Sequence, residues 1–143
     1  MKSRRENNRA IEIAGSSETA RVAVVDDDQS VREAIRSLLR SVGMVVDLFA
    51  SAEEFLKEVS LKDTKCLILD VRMTGMSGLE LQERLVSAHH EIPIIFITAH
   101  ASDTEARTRA MRAGAVNFLH KPFNDETLLK DVYGVLQSPG GNA

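Results

Sequence analysis

The sequence predicts an α/β fold built on one open, doubly wound parallel sheet. Five short apolar segments, at residues 22–25, 45–49, 66–69, 94–97 and 116–119, are often β-branched and alternate little. That is the pattern of strands covered on both faces. Segments with apolar residues at helical spacing follow each of them, so the order reads (βα) five times over. Short connections and right-handed crossovers then favour a doubly wound sheet over other arrangements.

Taken in order, residues 1–20 are mostly polar and hold no lasting periodicity, which predicts a flexible N-terminal tail. Arg4, Arg5 and Arg9 are diluted there by Glu6, Glu12 and Glu18. The basic start has no apolar stretch behind it, unlike a secretory signal, so a cytoplasmic location is expected. After the first strand, Val31, Ala34, Ile35, Leu38, Leu39 and Val42 form one helical stripe that Gly43 can close. Ser51 with Glu54 has capping-box spacing and opens a helix over 52–59; Ser102 with Glu105 does the same for 103–112, closed by Gly114. Leu79, Leu81, Leu85 and Val86 mark a helix after Gly78, with His89 and His90 near its end. Leu128, Leu129, Val132 and Leu136 mark the last one, after Asn124. The SPGGNA that follows Gln137 stops it, leaving a short tail at 138–143 and one domain at 21–137.

Bulk properties exclude several classes. A chain of 143 residues fits one ordinary domain, and its longest apolar runs fall far short of a bilayer span. No membrane contact is expected. A net charge of −3 carries no electrostatic footprint for nucleic acid, so direct contact with it by this chain is not expected either. The single cysteine, Cys66, cannot form an internal disulfide and reads as a buried thiol in a core strand. There is no zinc-spaced Cys/His cluster and no Gly-rich phosphate loop.

The chemistry lies where the strands end. In a doubly wound sheet the carboxyl ends of the strands share one edge, so polar residues scattered through the sequence meet in a crevice there. Asp26 and Asp27 follow the first strand, Asp70 the third, Thr98 the fourth and Lys121 the fifth. Asp28 is better used as the cap of the helix that follows. Clustered carboxylates repel unless a cation or proton intervenes, and hard oxygen ligands beside a phosphoryl group suit Mg²⁺. An aspartate can act as nucleophile in phosphoryl transfer, which assigns that role to Asp70. The Thr98 hydroxyl and the Lys121 ammonium would then contact the incoming phosphoryl oxygens. Pro122 fixes the turn that aims Lys121, with a cis peptide bond as one option.

VVDDD, LILDVRM, ITAH and KPF, in this order and spacing, resemble the receiver (REC) domain of bacterial two-component response regulators over residues 21–136. ITAHASD and DVRM are similar to the FixJ-like subgroup of nitrogen-fixation regulators, whose output domain is usually a LuxR-type helix-turn-helix. The resemblance implies a flavodoxin-like sheet of five parallel strands in the order 2-1-3-4-5. It implies that Asp70 accepts phosphate from a sensor histidine kinase, that Asp26, Asp27 and Asp70 hold Mg²⁺ with the backbone carbonyl of Arg72, and that Lys121 contacts the phosphoryl. Thr98 and Phe118 match the family's switch pair, and the reporting face would comprise residues 101–114, 116–119 and 124–136, open to a second copy or an output partner.

Two departures stand out: Thr74 replaces a proline common in the loop after Asp70, and Phe118 replaces a common tyrosine. A phosphatase of the haloacid-dehalogenase type would also use a strand-end aspartate, but Arg72 stands where its second carboxylate is needed. Enzymatic turnover beyond self-phosphorylation and autodephosphorylation is therefore not expected. A receiver-like scaffold that is never phosphorylated is the other alternative, disfavoured by the intact acids, Thr98 and Lys121. With six residues beyond Gln137 there is no room for a DNA-binding module, so the expectation is a stand-alone receiver or one cut from a longer regulator.

Overall fold

The computed structural model describes residues 21–58, 61–100 and 102–137. The tails expected at 1–20 and 138–143, with Arg4, Arg5 and Arg9, lie outside the described residues, as does residue 59 at the end of the second expected helix. In chain order the elements are β1 (Arg21–Val25), α1 (Gln29–Arg40), β2 (Val45–Phe49), α2 (Ala52–Glu58), a 3₁₀ turn (Leu61–Asp63), β3 (Cys66–Asp70), α3 (Gly78–Ser87), β4 (Ile94–Thr98), α4 (Thr104–Arg112), β5 (Asn117–His120) and α5 (Asp125–Leu136). The strands form one parallel sheet in the order β2-β1-β3-β4-β5, the doubly wound topology expected. It reverses direction of winding beside β1, which opens the crevice at the carboxyl edge between β1 and β3.

Alternate residues of the central strands feed two cores. Ala23, Val25, Leu67, Leu69 and Phe96 pack with Phe55, Leu81, Leu85, Ala106 and Ala110, so α2, α3 and α4 cover one face. Val22, Val24, Cys66, Ile68, Ile95 and Ile97 pack with Ile35, Leu39, Leu128 and Val132, so α1 and α5 cover the other. Residues facing both ways are buried, which explains the missing alternation in β1, β3 and β4. Burial pushes the Cys66 thiol up to about 12, that of an inert core residue.

Several sequence expectations need correction. β2 is an edge strand and only partly buried along most of its length, although Phe49 packs into one core and Val46 and Leu48 against the other; its Asp47 accepts two hydrogen bonds from Arg21 (3.0 and 3.2 Å). A charge on an edge strand is tolerated because one flank faces water. The last strand runs one residue later than the apolar run 116–119 suggests, because Val116, 40 % exposed, precedes it. Val86 is 54 % exposed; the buried side of α3 is Gly78, Leu81, Gln82 and Leu85. His89 lies beyond α3 with φ +62°, where its N–H donates to the Val86 carbonyl and that of His90 to the Leu85 carbonyl, closing the helix end.

The capping expectations divide. Ser51 caps α2, its Oγ accepting from the Glu54 N–H (3.0 Å), and Glu54 reaches back to the Ala50 N–H (2.7 Å). The box expected at Ser102 and Glu105 does not form: α4 starts at Thr104 with Asp103 in the N-cap position and no side-chain cap bond.

Candidate phosphoryl-transfer site

Asp26 ends up wholly buried, just past β1, with its N–H donating to the Phe49 carbonyl (3.2 Å). One carboxylate oxygen accepts from the Asp28 N–H (2.8 Å) and the other from the Lys121 ammonium (2.8 Å). Asp28 turns the other way and caps α1, accepting from Ser30 and Val31. Asp70 is the last residue of β3 and is 5 % exposed. Its Oδ2 lies 3.6 Å from Lys121 Nζ. Asp27, exposed, completes a cluster in which ligand oxygens of Asp26, Asp27 and Asp70 lie within 4.8 Å of one another. The sheet thus brings together three of the predicted acids and the predicted lysine.

Lys121 is delivered by β5 pairing: its N–H donates to the Thr98 carbonyl (2.7 Å), and the Lys121–Pro122 peptide is cis, the option the sequence left open. The same hydrogen bond sets Thr98, 1 % exposed at the end of β4, beside the lysine. Thr98 Oγ1 accepts from the His100 N–H (3.0 Å), which leaves its hydroxyl proton for donation. Phe118 is buried with its ring centroid 6.0 Å from that of Phe96. Arg107 lies 6.0 Å from the Phe118 ring centroid and donates to the Phe118 carbonyl (3.3 Å). The four histidines are exposed, His100 and His120 flanking the site residues.

Electrostatics mark Asp70 as the strained member. Burial, with Asp26 and more weakly Asp27, pushes its carboxyl up to about 7, against the opposing pull of Lys121 and a hydrogen bond from the Arg72 backbone. Burial would lower the Lys121 ammonium, but the hydrogen bond to Asp26 and the charges of Asp70, Asp26 and Asp28 outweigh it and hold it above its ordinary value. Local hydrogen bonds from Ser30 hold Asp28 below the ordinary carboxylate range. One ammonium facing three carboxylates leaves surplus negative charge in a half-closed crevice. A hard divalent cation fits that donor set, with the exposed side at Asp27 free for water or an anionic ligand.

Sequence reasoning missed how the loop after Asp70 is held. Glu53 at the start of α2 accepts a hydrogen bond from the Met76 N–H (2.9 Å), and the Gly78 N–H donates to the Val71 carbonyl (2.9 Å). Gly75 has φ +83°, and a Cβ on Gly78 would collide with the Asp70 carbonyl oxygen. The loop lacking the usual proline is therefore tied at both ends by other means. Arg32, also unforeseen, donates to the Asp26 carbonyl (2.8 Å). Arg72 is exposed and its guanidinium pairs with Asp103. Nothing in local sequence signals these contacts, because each joins residues from separate elements or turns.

Comparison with known proteins gives one consistent picture. A family model described as the response regulator receiver domain matches residues 22–133. The response regulator protein TodT of Pseudomonas putida is 46 % identical over 116 residues, covering 81 % of this chain and 51 % of that protein. The chain spans about half the length of the curated relatives it matches. Among solved structures, response regulator StyR superposes with a TM-score of 0.78 at 50 % identity, covering 83 % of this chain and 60 % of that one. The FixJ-N crystal structure superposes at 0.75 with 35 % identity, covering 85 % and 97 %.

Proposed function

Because this chain belongs to the family of response regulator receiver domains, we propose that Asp70 is its phosphoacceptor and that residues 21–137 form the receiver unit of a two-component system. The observation that carries the assignment is the Lys121 ammonium shared between Asp26 (2.8 Å) and Asp70 (3.6 Å) inside the acid cluster. Of the three acids, Asp70 alone is the last residue of a central strand.

In this reading a phosphohistidine of a sensor kinase is the donor. An Asp70 carboxylate oxygen forms the new bond to phosphorus, the bond from phosphorus to the imidazole nitrogen breaks, and the electron pair stays on that nitrogen. Lys121 moves its charge from Asp70 to a phosphoryl oxygen, and Thr98 donates its hydroxyl hydrogen to another. Asp26, Asp27, Asp70 and the Arg72 carbonyl would hold Mg²⁺; when bound, the ion offsets repulsion between the carboxylates and the incoming anion. Thr98 and Phe118 form the switch pair. About two added charges must favour one of two packings by differential contacts, and a full inversion from 1:99 to 99:1 takes about 5.5 kcal/mol. The face of α4, β5 and α5 carries the change to a second copy or an output partner.

No helix among the described residues is long and apolar enough to cross a membrane, which is compatible with the cytoplasmic placement we propose. Catalysis beyond the domain's own phosphorylation and dephosphorylation is not part of this reading. Acetyl phosphate with Mg²⁺, followed by intact-mass measurement, tests it. One phosphoryl mass should appear on the wild type and none on Asp70→Ala. Equal labelling of the variant, or none on the wild type, overturns the assignment, and many-turnover hydrolysis of p-nitrophenyl phosphate would favour the phosphatase alternative.

A further inference from the structure

The loop after β3 and the start of α4 share one carboxylate. Asp103 Oδ2 accepts from both Nη2 (2.8 Å) and Nε (3.1 Å) of Arg72, and the Asp103 side chain is 9 % exposed. Asp103 also occupies the N-cap position of α4, yet its side chain accepts nothing from the first turn. Asp28, Ser77 and Asn124, at the equivalent positions of α1, α3 and α5, all do. The carboxylate placed to cap α4 is paired with the acceptor loop instead.

α4 has little apolar anchorage to compensate. It buries Ala106 and Ala110, whereas α1 buries Ile35 and Leu39 and α5 buries Leu128 and Val132. Its other attachments are polar: Gln82 donates to the Ala110 carbonyl (3.1 Å), Arg109 pairs with Glu83 (2.7 Å) and Arg107 holds Phe118. A helix held this way responds to small changes in polar partners, since each is of the same order as its apolar burial.

Resting on the phosphoacceptor reading above, we propose that Asp103 is a positioning residue: it competes with the phosphoryl group on Asp70 for the Arg72 guanidinium and, once displaced, caps α4. Arg72 is two residues beyond the acceptor, and its backbone already hydrogen-bonds the Asp70 carboxylate. A phosphoryl group of about two negative charges attracts a guanidinium more strongly than one carboxylate does. Asp103, mostly buried, cannot stay unpaired after losing Arg72. The N–H groups of Glu105 and Ala106 are the second and third of α4, the ones an N-cap carboxylate ordinarily serves. The event that gives Arg72 a new partner thereby reties the first turn of α4, a contact that differs between the two states as a population shift requires.

Beryllofluoride with Mg²⁺, a stable stand-in for the phosphoryl group, supplies the test. Asp103→Asn should bind it about 3- to 10-fold more tightly, the range of a modest coupling between sites. Asp103→Glu, which keeps the charge facing Arg72 but loses the short capping side chain, should bind it no more tightly than wild type, and the gain of Asp103→Asn should vanish when Arg72→Ala is added. Mere removal of a nearby negative charge would raise affinity equally with Arg72 absent. In the unaltered protein, the Arg72 Nε–H signal and the Glu105 and Ala106 amide signals should move on binding. The proposal is overturned by unchanged affinity in Asp103→Asn, by a gain that persists in the double variant, or by an unmoved Arg72 signal at saturation. A wild type that binds no beryllofluoride overturns the phosphoacceptor reading and this proposal together; one that binds while the variants behave alike overturns this proposal alone.

Discussion

Replacing Asp70 by asparagine in the metal-free protein should stabilise it, increasingly so as pH rises. Two opposing charge terms nearly cancel. At an effective dielectric of about 20, the Lys121 attraction over 3.6 Å is about 4.6 kcal/mol and repulsion from Asp26 at the 4.8 Å limit about 3.5 kcal/mol. Burial therefore decides, and it disfavours the charged form, raising the carboxyl to about 7. An unfolded aspartate titrates near 3.9, so between about pH 4 and pH 7 the native state holds a proton that the unfolded state has lost. Native stability falls across that window and stays low above it. Three pKa units at 1.36 kcal/mol set a ceiling of about 4 kcal/mol, and solvent reaching the crevice past Asp27 reduces it. Urea unfolding of both proteins in EDTA isolates the term, because other titrating groups are common to the pair. The stability gap in favour of Asp70→Asn should widen by about 1.5–2.5 kcal/mol from pH 5 to pH 8, and saturating Mg²⁺ should shrink it. A gap that does not change with pH, or a wild type more stable than the variant at pH 8 in EDTA, would refute the reasoning.

Two further outcomes follow from the same geometry. Lys121→Met removes the cation 2.8 Å from wholly buried Asp26 and should cost about 1.5–3 kcal/mol in EDTA, with part recovered in Mg²⁺; urea midpoints with and without the ion read both. Gly78→Ala drives a methyl against the Asp70 carbonyl oxygen, a backbone atom that cannot swing aside, and should cost about 1–3 kcal/mol while lowering the initial rate of acetyl phosphate labelling. A Gly78→Ala protein with wild-type melting temperature and labelling rate would contradict that contact.

The response of α4 connects these tests to signalling. Mutations at the acid cluster act on stability and phosphoryl binding, whereas mutations at Asp103 should act on the exchange of Arg72 between two partners. Hydrogen exchange at the first turn of α4 separates the two classes.

Periodicity and turn chemistry made most of the fold legible. The stripe from Val31 to Val42, the Asp28 and Asn124 caps and the buried runs before Asp26, Asp70 and Thr98 are local signals, each read within a few residues. The five polar residues at strand ends were legible for the same reason: parallel topology brings strand ends to one edge whatever lies between them. Edge strands were harder. The run 45–49 looks like a central strand until the sheet order leaves one flank open, and Val116 reads as strand until its pairing partners are known.

The sequence by itself determined the strand and helix order, the acids, hydroxyl and lysine at the carboxyl edge, and the topology those elements can adopt. Only the tertiary structure decided how charge is shared among them: Lys121 sits closer to Asp26 than to Asp70, across 95 residues of chain, and burial raises Asp70. It also decided that Asp103 serves Arg72, 31 residues away, instead of its own helix. Hydrogen bonding and desolvation depend on which groups packing brings within a few ångströms, and sequence spacing does not carry that information across separate elements.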